Sequence, residues 1–149
     1  FAQGRAEVPR FAFSEVSDNG ALGLGVTTGA RVASIQCNRF VYTRAGTLRF
    51  TDPALRPLAA ADGASFADDG RGAVELVDTE LSENARFGLV SAGVVLRLRG
   101  STRGSGNGFG VGLRGVAAVV EGTADAVTGR APAPMTFEVT RGDLASVAR

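Results

Sequence analysis

The sequence contains no histidine, no lysine and no tryptophan, and it has one cysteine, one methionine and one tyrosine among 149 residues. Without histidine there is no imidazole general base, no Ser-His-Asp triad and no histidine ligand for a metal. Without lysine there is neither a Schiff base nor a P-loop. A single cysteine excludes an internal disulfide and a multi-cysteine metal site. We therefore predict a protein that has no cofactor and is not an enzyme.

The single cysteine, Cys37, lies in the stretch "RVASIQCNRFVY". In an extended chain it shares a face with Ala33 and Ile35. No neighbouring residue clearly supplies the basic partner that would lower a thiol pKa. We expect a buried thiol that acts as a small hydrophobic side chain.

What is abundant is apolar residues, at 44% of the chain, and glycine, at 21 residues. This length and composition fit a single domain over residues 1–149, with an extended N-terminal arm over residues 1–10. No apolar run approaches the roughly 18 residues that a membrane-spanning helix needs. The opening "FAQG" is compatible with the end of a removed leader, so we expect an extracellular or cell-surface protein, or a virion component, of bacterial-type composition.

Short apolar runs alternate with polar residues at period two and are separated by Gly, Asp, Asn or Pro. This pattern predicts an all-β fold, an antiparallel β-sandwich or jelly roll of about eight strands, with a flattened β-barrel as the alternative. The best hairpin candidate joins "RFVYT" to "TLRFT" through "RAG". Residues 73–86 fit neither a helix nor a strand clearly, and no internal repeat is evident.

The predicted core consists of the apolar residues on the inward parity of these strands. They are Phe11, Phe13, Val32, Ile35, Phe40, Leu48, Phe50, Leu89, Val94, Leu96, Val111, Leu113, Val119, Phe137 and Val139.

The stretch "RGSGNGFGVGLRG" has glycine at every second position from 104 to 112. This spacing does not match the G-x-G-x-x-G dinucleotide fingerprint, because the residues that follow alternate as a strand. We expect the early glycines to turn a hairpin, while Gly110 and Gly112 leave one face of the returning strand bare. Gly23 and Gly25 in "LGLGV" form a second such piece, and we predict that all four glycines pack against a neighbouring subunit or a small ligand.

Charge is unevenly distributed although the net charge is only +1. Residues 61–85 carry seven acidic residues and one arginine, whereas residues 86–130 carry six arginines and two acidic residues. These charges either pair across neighbouring strands within one chain or form opposed patches that join subunits. The candidate patch residues are Asp68, Asp69, Glu75, Arg97, Arg99 and Arg103. A net charge of +1 argues against a nucleic-acid partner.

Two further hypotheses rest on carboxylates. The turn "FADDGRG" suggests a weak calcium site formed by Asp62, Asp68 and Asp69, although it lacks the spacing of an EF-hand. A carboxylate-based hydrolase is also conceivable, but the chain offers few flat aromatic side chains for a sugar.

The sequence therefore favours a non-enzymatic structural subunit that self-assembles into a homo-oligomer through strand edges and opposed charge patches, as in a surface filament, coat or virion. The alternative is a β-module that binds a glycan or a small molecule.

Overall fold

The computed structural model describes seven stretches of the chain. They are residues 7–26, 30–48, 58–67, 73–115, 118–122, 126–130 and 135–136. The elements in these ranges are seventeen short β-strands. No helix in the described stretches is long and apolar enough to cross a membrane.

Most strands form three faces that the chain visits in a fixed order. The first face contains β1 (Glu7–Ala12), β4 (Arg31–Gln36), β9 (Ala73–Val77), β12 (Val95–Arg99) and β15 (Val119–Glu121). The second face contains β2 (Glu15–Ser17), β5 (Arg39–Val41), β10 (Glu80–Ser82), β13 (Gly104–Asn107) and β16 (Val127–Gly129). The third face contains β3 (Leu22–Val26), β8 (Asp62–Ala67), β11 (Phe87–Ala92), β14 (Phe109–Arg114) and β17 (Met135–Thr136).

Neighbouring strands within each face run parallel, so the fold is a β-solenoid of about four turns. Each circuit adds one strand to every face. Glu7 on β1 pairs with Arg31 on β4, and Ala73 on β9 pairs with Val95 on β12, so one turn takes 22 to 24 residues. The long connection that two parallel strands require is supplied here by the strands of the other two faces.

One turn is longer because it contains an insertion. Ser34 on β4 pairs with Glu75 on β9, 41 residues later. The extra chain includes β6 (Gly46–Leu48) and β7 (Leu58–Ala60), which pair antiparallel with each other outside the three faces. The insertion hides the regular spacing of the turns in the sequence.

The hydrophobic core fills the space between the three faces. Its largest fully buried side chains are Phe40, Phe66, Ile35, Leu76, Leu81, Leu89 and Leu96. The first-face strands β9 and β12 turn one face inward and keep the period-two alternation although they are parallel. The third-face strands β8 and β11 are buried along almost their whole length.

The predicted antiparallel sandwich, jelly roll or barrel is therefore wrong in strand direction, although the prediction of an all-β chain is confirmed. Alternation reports only which face of a strand is buried, and it is the same for parallel and antiparallel neighbours. The expected hairpin between "RFVYT" and "TLRFT" is also wrong. In the structure β5 pairs in parallel with β2 and β10, and β6 pairs with β7.

The predicted core is partly confirmed. Seven of its members are buried: Val32, Ile35, Phe40, Leu89, Val94, Leu96 and Val111. Phe11 and Leu113 are partly buried against them. Phe13 and Val119 are exposed, which contradicts the prediction. Leu48 belongs to β6, but its side chain, like Phe50, Phe137 and Val139, lies outside what the structure describes.

Cys37 is exposed rather than buried. Cys37 and Phe13 have positive φ angles, 52° and 56°, and each follows the last residue of a strand on the first face. The chain turns at these two residues. The alternation of inward and outward side chains stops at the last strand residue, so it does not apply to Phe13 or Cys37. The undecided segment 73–86 forms two strands, β9 and β10, joined by the corner at Asp78.

An internal repeat is present, contrary to the sequence interpretation. Residues 13–24, "FSEVSDNGALGL", align without gaps with residues 78–89, "DTELSENARFGL". The shared residues include Glu15 with Glu80 and Asn19 with Asn84. The two stretches lie two turns apart in the solenoid, which explains why a search for adjacent repeats misses them.

Candidate assembly interface

In the described stretches, two columns of corners contain non-glycine residues whose backbone enters the left-handed region, while the corners after β11 and β14 are the glycines Gly93 and Gly115. The corner column after the first face consists of Phe13, Cys37, Asp78, Gly100 and Gly122. The corner column after the second face consists of Asp18, Tyr42, Glu83 and Gly106, with φ between 54° and 70°. A non-glycine residue in this region costs about 1–2 kcal/mol, so packing along the stack must hold these corners in place.

A polar ladder follows each of these corner columns, and its members come directly after the corner except at Gly100, where Ser101 intervenes before Thr102. The first ladder follows the first corner column and consists of Ser14, Asn38, Thr79 and Thr102. Asn38, Thr79 and Thr102 are buried. The Ser14 backbone N–H donates to Asn38 Oδ1 over 2.9 Å, and the Thr79 N–H donates to Thr102 Oγ1 over 3.2 Å. Each of these bonds joins one turn to the next.

The second ladder follows the second corner column and consists of Asn19, Thr43, Asn84 and Asn107. Its backbone spacing is regular, because the carbonyl of each rung accepts a hydrogen bond from the residue after the next rung. These donors are Arg44, Ala85, Gly108 and Arg130. The Thr43 N–H donates to Asn84 Oδ1, and the Asn84 N–H donates to Asn107 Oδ1 over 3.0 Å.

The ladder side chains also donate hydrogen bonds to the preceding turn, in a regular pattern. A rung donates to the carbonyl that lies three residues before the rung of the preceding turn. Five bonds follow it: Asn38 to Phe11, Thr79 to Ile35, Thr102 to Leu76, Asn84 to Phe40 and Asn107 to Leu81. The ladders are therefore directional, since the side chains of each turn satisfy backbone carbonyls of the turn before it.

A column of glycines makes room for the second ladder. On the third face Gly23, Gly63, Gly88 and Gly110 lie in register. A Cβ atom on Gly63 would press on the Asn84 amide, and one on Gly88 would press on the Asn107 amide. A Cβ on Gly110 would overlap the Val127 carbonyl, and one on Gly23 would overlap the Gly63 carbonyl. What lies against these glycines is thus the chain itself.

The other two predicted packing glycines are buried in the same face. Gly25 pairs with Ser65, and Gly112 pairs with Val90. Gly106 has a φ of 70° and forms a corner, as the sequence suggested for an early glycine of the period-two stretch. That stretch forms no hairpin, because β13 and β14 belong to different faces.

Outward-facing charges alternate in sign from turn to turn. On the second face Arg39 lies between Glu15 and Glu80, and its Nε is 2.8 Å from the Glu80 carboxylate. Hydrogen bonds and the charges of these two glutamates raise the pKa of Arg39. On the first face Arg97 contacts Glu121 over 2.8 Å. These exposed pairs each contribute little stability, but they favour one register of stacking.

Of the predicted charge-patch residues, the structure brings Glu75, Arg97 and Arg99 together on the first face. Glu75 and Arg99 contact each other over 3.6 Å, and Arg97 pairs in register with Glu75. The backbone of Arg103 forms a parallel β-bridge with that of Glu80 on the second face. Asp68 and Asp69 lie outside the described residues.

Asp62, a proposed calcium ligand, is buried and paired with Arg86. Its two carboxylate oxygens accept from Arg86 Nε over 2.8 Å and from Arg86 Nη2 over 2.7 Å. The hydrogen bond to Asp62 is the largest cause that raises the pKa of Arg86. In the described stretches no three acidic or cysteine side chains gather into a metal-binding group.

Two acidic corner residues lie over glycines of the following turn. Asp78 lies over Gly100, and Glu83 lies over Gly106, so that a Cβ on either glycine would overlap the carboxylate. The Ser101 N–H and hydroxyl donate to Asp78 and lower the pKa of its carboxyl. Beside Glu83, a surface groove of about 370 Å³ is lined in part by Tyr42, Thr43 and Arg44.

Among the described strands, those of the first turn end all three faces of the stack. These strands, β1, β2 and β3, each lie at the end of their sheet. In the same turn, Asn19 Nδ2 is buried and has no hydrogen-bond partner among the described residues. Sequence reasoning missed both ladders, although the recurrence of Asn19 and Asn84 in the two aligned stretches could have revealed the second ladder.

The chain matches no known protein family, no curated protein and no solved structure.

Proposed function

We propose that this chain is a non-enzymatic structural subunit that assembles through the open strand edges of its solenoid. The observation that carries the proposal is that the first-turn strands β1, β2 and β3 each lie at the end of their sheet. Unpaired backbone N–H and C=O groups on parallel strands are a template for further strands. A repeated contact of this kind would form a filament, a coat or a virion shell. The extracellular or cell-surface location expected from the sequence remains a prediction.

The arrangement of the charged side chains supports this proposal over one based on large opposed patches. Glu75, Arg97 and Arg99 make their contacts within the chain, so they are less free to join subunits. The outward-facing charged residues of the first and last turns are better placed to join subunits. Salt should therefore weaken assembly only in part, because backbone hydrogen bonds between strands are less sensitive to screening than exposed ion pairs.

Light scattering coupled to size-exclusion chromatography tests the proposal. We expect the mass to rise with protein concentration at low salt and to fall, but not to that of a monomer, at about 1 M salt, where the Debye length is ~3 Å. A monomer at every concentration and every salt would remove the assembly function.

A second candidate function is recognition of a glycan or a small polar ligand in the groove beside Tyr42. Thr43 is one of the residues that line this groove, and its Oγ1 is buried and has no hydrogen-bond partner among the described residues. Tyr42 is 52% exposed and offers a flat ring with a polar tip, as sugar-binding sites often do.

Saturation-transfer NMR with a panel of neutral and acidic disaccharides tests this second function. Binding should be lost in Tyr42→Ala and retained in Phe13→Ala, since Phe13 is the exposed aromatic of the other corner column. The absence of saturation transfer for the whole panel would exclude these sugars as ligands.

A further inference from the structure

The first turn of the solenoid lacks the partner that its own ladder chemistry requires. At five rungs a side chain donates to the carbonyl three residues before the preceding rung. Asn19 is the first rung of the second ladder and has no preceding turn among the described residues. Its Nδ2 is the atom that would make this bond, and it is buried without a partner.

The last described turn presents the backbone that Asn19 would meet. Gly129 pairs with Asn107, and Arg130 donates to the Asn107 carbonyl, so Gly129 occupies the next rung position of the second ladder. The carbonyl three residues earlier belongs to Ala126. A Cβ on Gly129 would overlap the backbone of Phe109 and Gly110 in the preceding turn, so this rung position is held by a residue without a side chain.

The charge column of the first face gives the same register independently. Arg10, Ser34, Glu75, Arg97 and Glu121 lie in one row across β1, β4, β9, β12 and β15. Arg10 stands at one end of this row and Glu121 at the other. A second copy stacked head to tail would place its Arg10 beside Glu121, which continues the alternation of Glu75, Arg97 and Glu121.

We infer that a second copy of this chain stacks its first turn on the last turn of the first copy, with Asn19 donating to the Ala126 carbonyl and Arg10 facing Glu121. This rests on the proposed assembly function and names its partner and register. The Asn19 Oδ1 accepts from the Gly129 N–H, as Asn84 Oδ1 accepts from Thr43. The contact is heterologous and therefore repeats along an axis rather than closing as a two-fold dimer.

Disulfide cross-linking between the two ends tests the register. In a Cys37→Ser background, the double variant Arg10→Cys/Glu121→Cys should form a series of covalent oligomers under mild oxidation. Within one chain the two positions are four strand spacings, or about 19 Å, apart, too far for the ~7 Å limit between bridged Cα atoms. The matched control is Arg10→Cys/Arg130→Cys, which should give at most dimers because Arg130 lies at another corner.

A second variant tests the ladder bond without changing charge columns. Asn19→Ala should raise the concentration for half-assembly about tenfold, since two hydrogen bonds are lost. Asn19→Asp keeps the acceptor oxygen but replaces the donor nitrogen with a second oxygen, so it should weaken assembly as well. Asn19→Ala should not lower the thermal midpoint of the dilute monomer, because Asn19 Nδ2 has no hydrogen-bond partner among the described residues.

The outcomes separate the inference from the function on which it rests. If light scattering shows oligomers but the cross-linked series is absent and Asn19→Ala assembles normally, copies meet elsewhere and the inference fails while the function stands. A chain that stays monomeric under all conditions overturns both. Equal cross-linking in the Arg130 control also overturns the proposed register.

Discussion

Asn84, in the third turn (β9 to β11), and Asn19, in the first turn (β1 to β3), occupy the same rung position but differ in their hydrogen bonds. Asn84 is fully buried, and its amide bonds to the Thr43 N–H, the Phe40 carbonyl and Asn107. Asn19 stands in a closely similar sequence, yet its Nδ2 has no partner. The difference shows that a rung is stabilised by the turn before it, and that sequence similarity alone does not give a residue the same energetic role.

The largest effect that follows from this comparison is at Asn84. Asn84→Leu should destabilise the monomer by about 3–5 kcal/mol, because it leaves the buried Thr43 N–H and Phe40 carbonyl unsatisfied. The matched change Asn19→Leu should alter stability by less than about 0.5 kcal/mol. Urea unfolding of dilute protein measures both. Equal losses at the two rungs would contradict the directional ladder.

Glycines near the second ladder differ in how much space a Cβ atom would find, and this gives the next largest expected effect. Gly110→Ala should cost about 2–4 kcal/mol, since the added Cβ overlaps the Val127 carbonyl and one backbone segment must shift. Gly20, in the first turn, has open space around a Cβ, so Gly20→Ala should change stability by less than about 0.5 kcal/mol. Thermal unfolding followed by circular dichroism compares the two. A tolerated Gly110→Ala would mean that β14 and β16 are not packed as described.

A smaller effect of the opposite sign is expected at a corner. Tyr42 has a φ of 58° and is 52% exposed, so Tyr42→Gly removes backbone strain with little loss of packing. It should stabilise the monomer by about 0.5–1 kcal/mol. Ser17→Gly, at the last residue of β2 and directly before the corner at Asp18, should destabilise the monomer by a similar amount. If both changes destabilise equally, Tyr42 does not lie in the left-handed region.

Part of this fold was accessible from the sequence. The alternation of Leu96 and Leu98 with Arg97 and Arg99 predicts a strand and its buried face, because burial on one face leaves a period of two. Strand direction was not accessible, since parallel and antiparallel neighbours share that period. The corners at Phe13, Cys37 and Tyr42 were hidden as well, because such side chains seldom adopt a positive φ.

The candidate interface was less accessible than the fold. The period-two glycines correctly marked a tightly packed strand, but Gly110 packs against Val127 of the same chain. Which side a glycine faces depends on the three-sided path of the chain. The ladders depend on residues separated by 22 to 41 positions, and the insertion containing β6 and β7 interrupts that spacing.

The proposed stacking of a second copy on the first turn can be followed by amide hydrogen exchange as a function of protein concentration. We expect the amides of β1, β2 and β3, and those of β15 and β16, to become more protected as the protein assembles, while those of β9 to β12 stay unchanged. Assembly that leaves exchange in the first turn unaltered would contradict the proposed stacking.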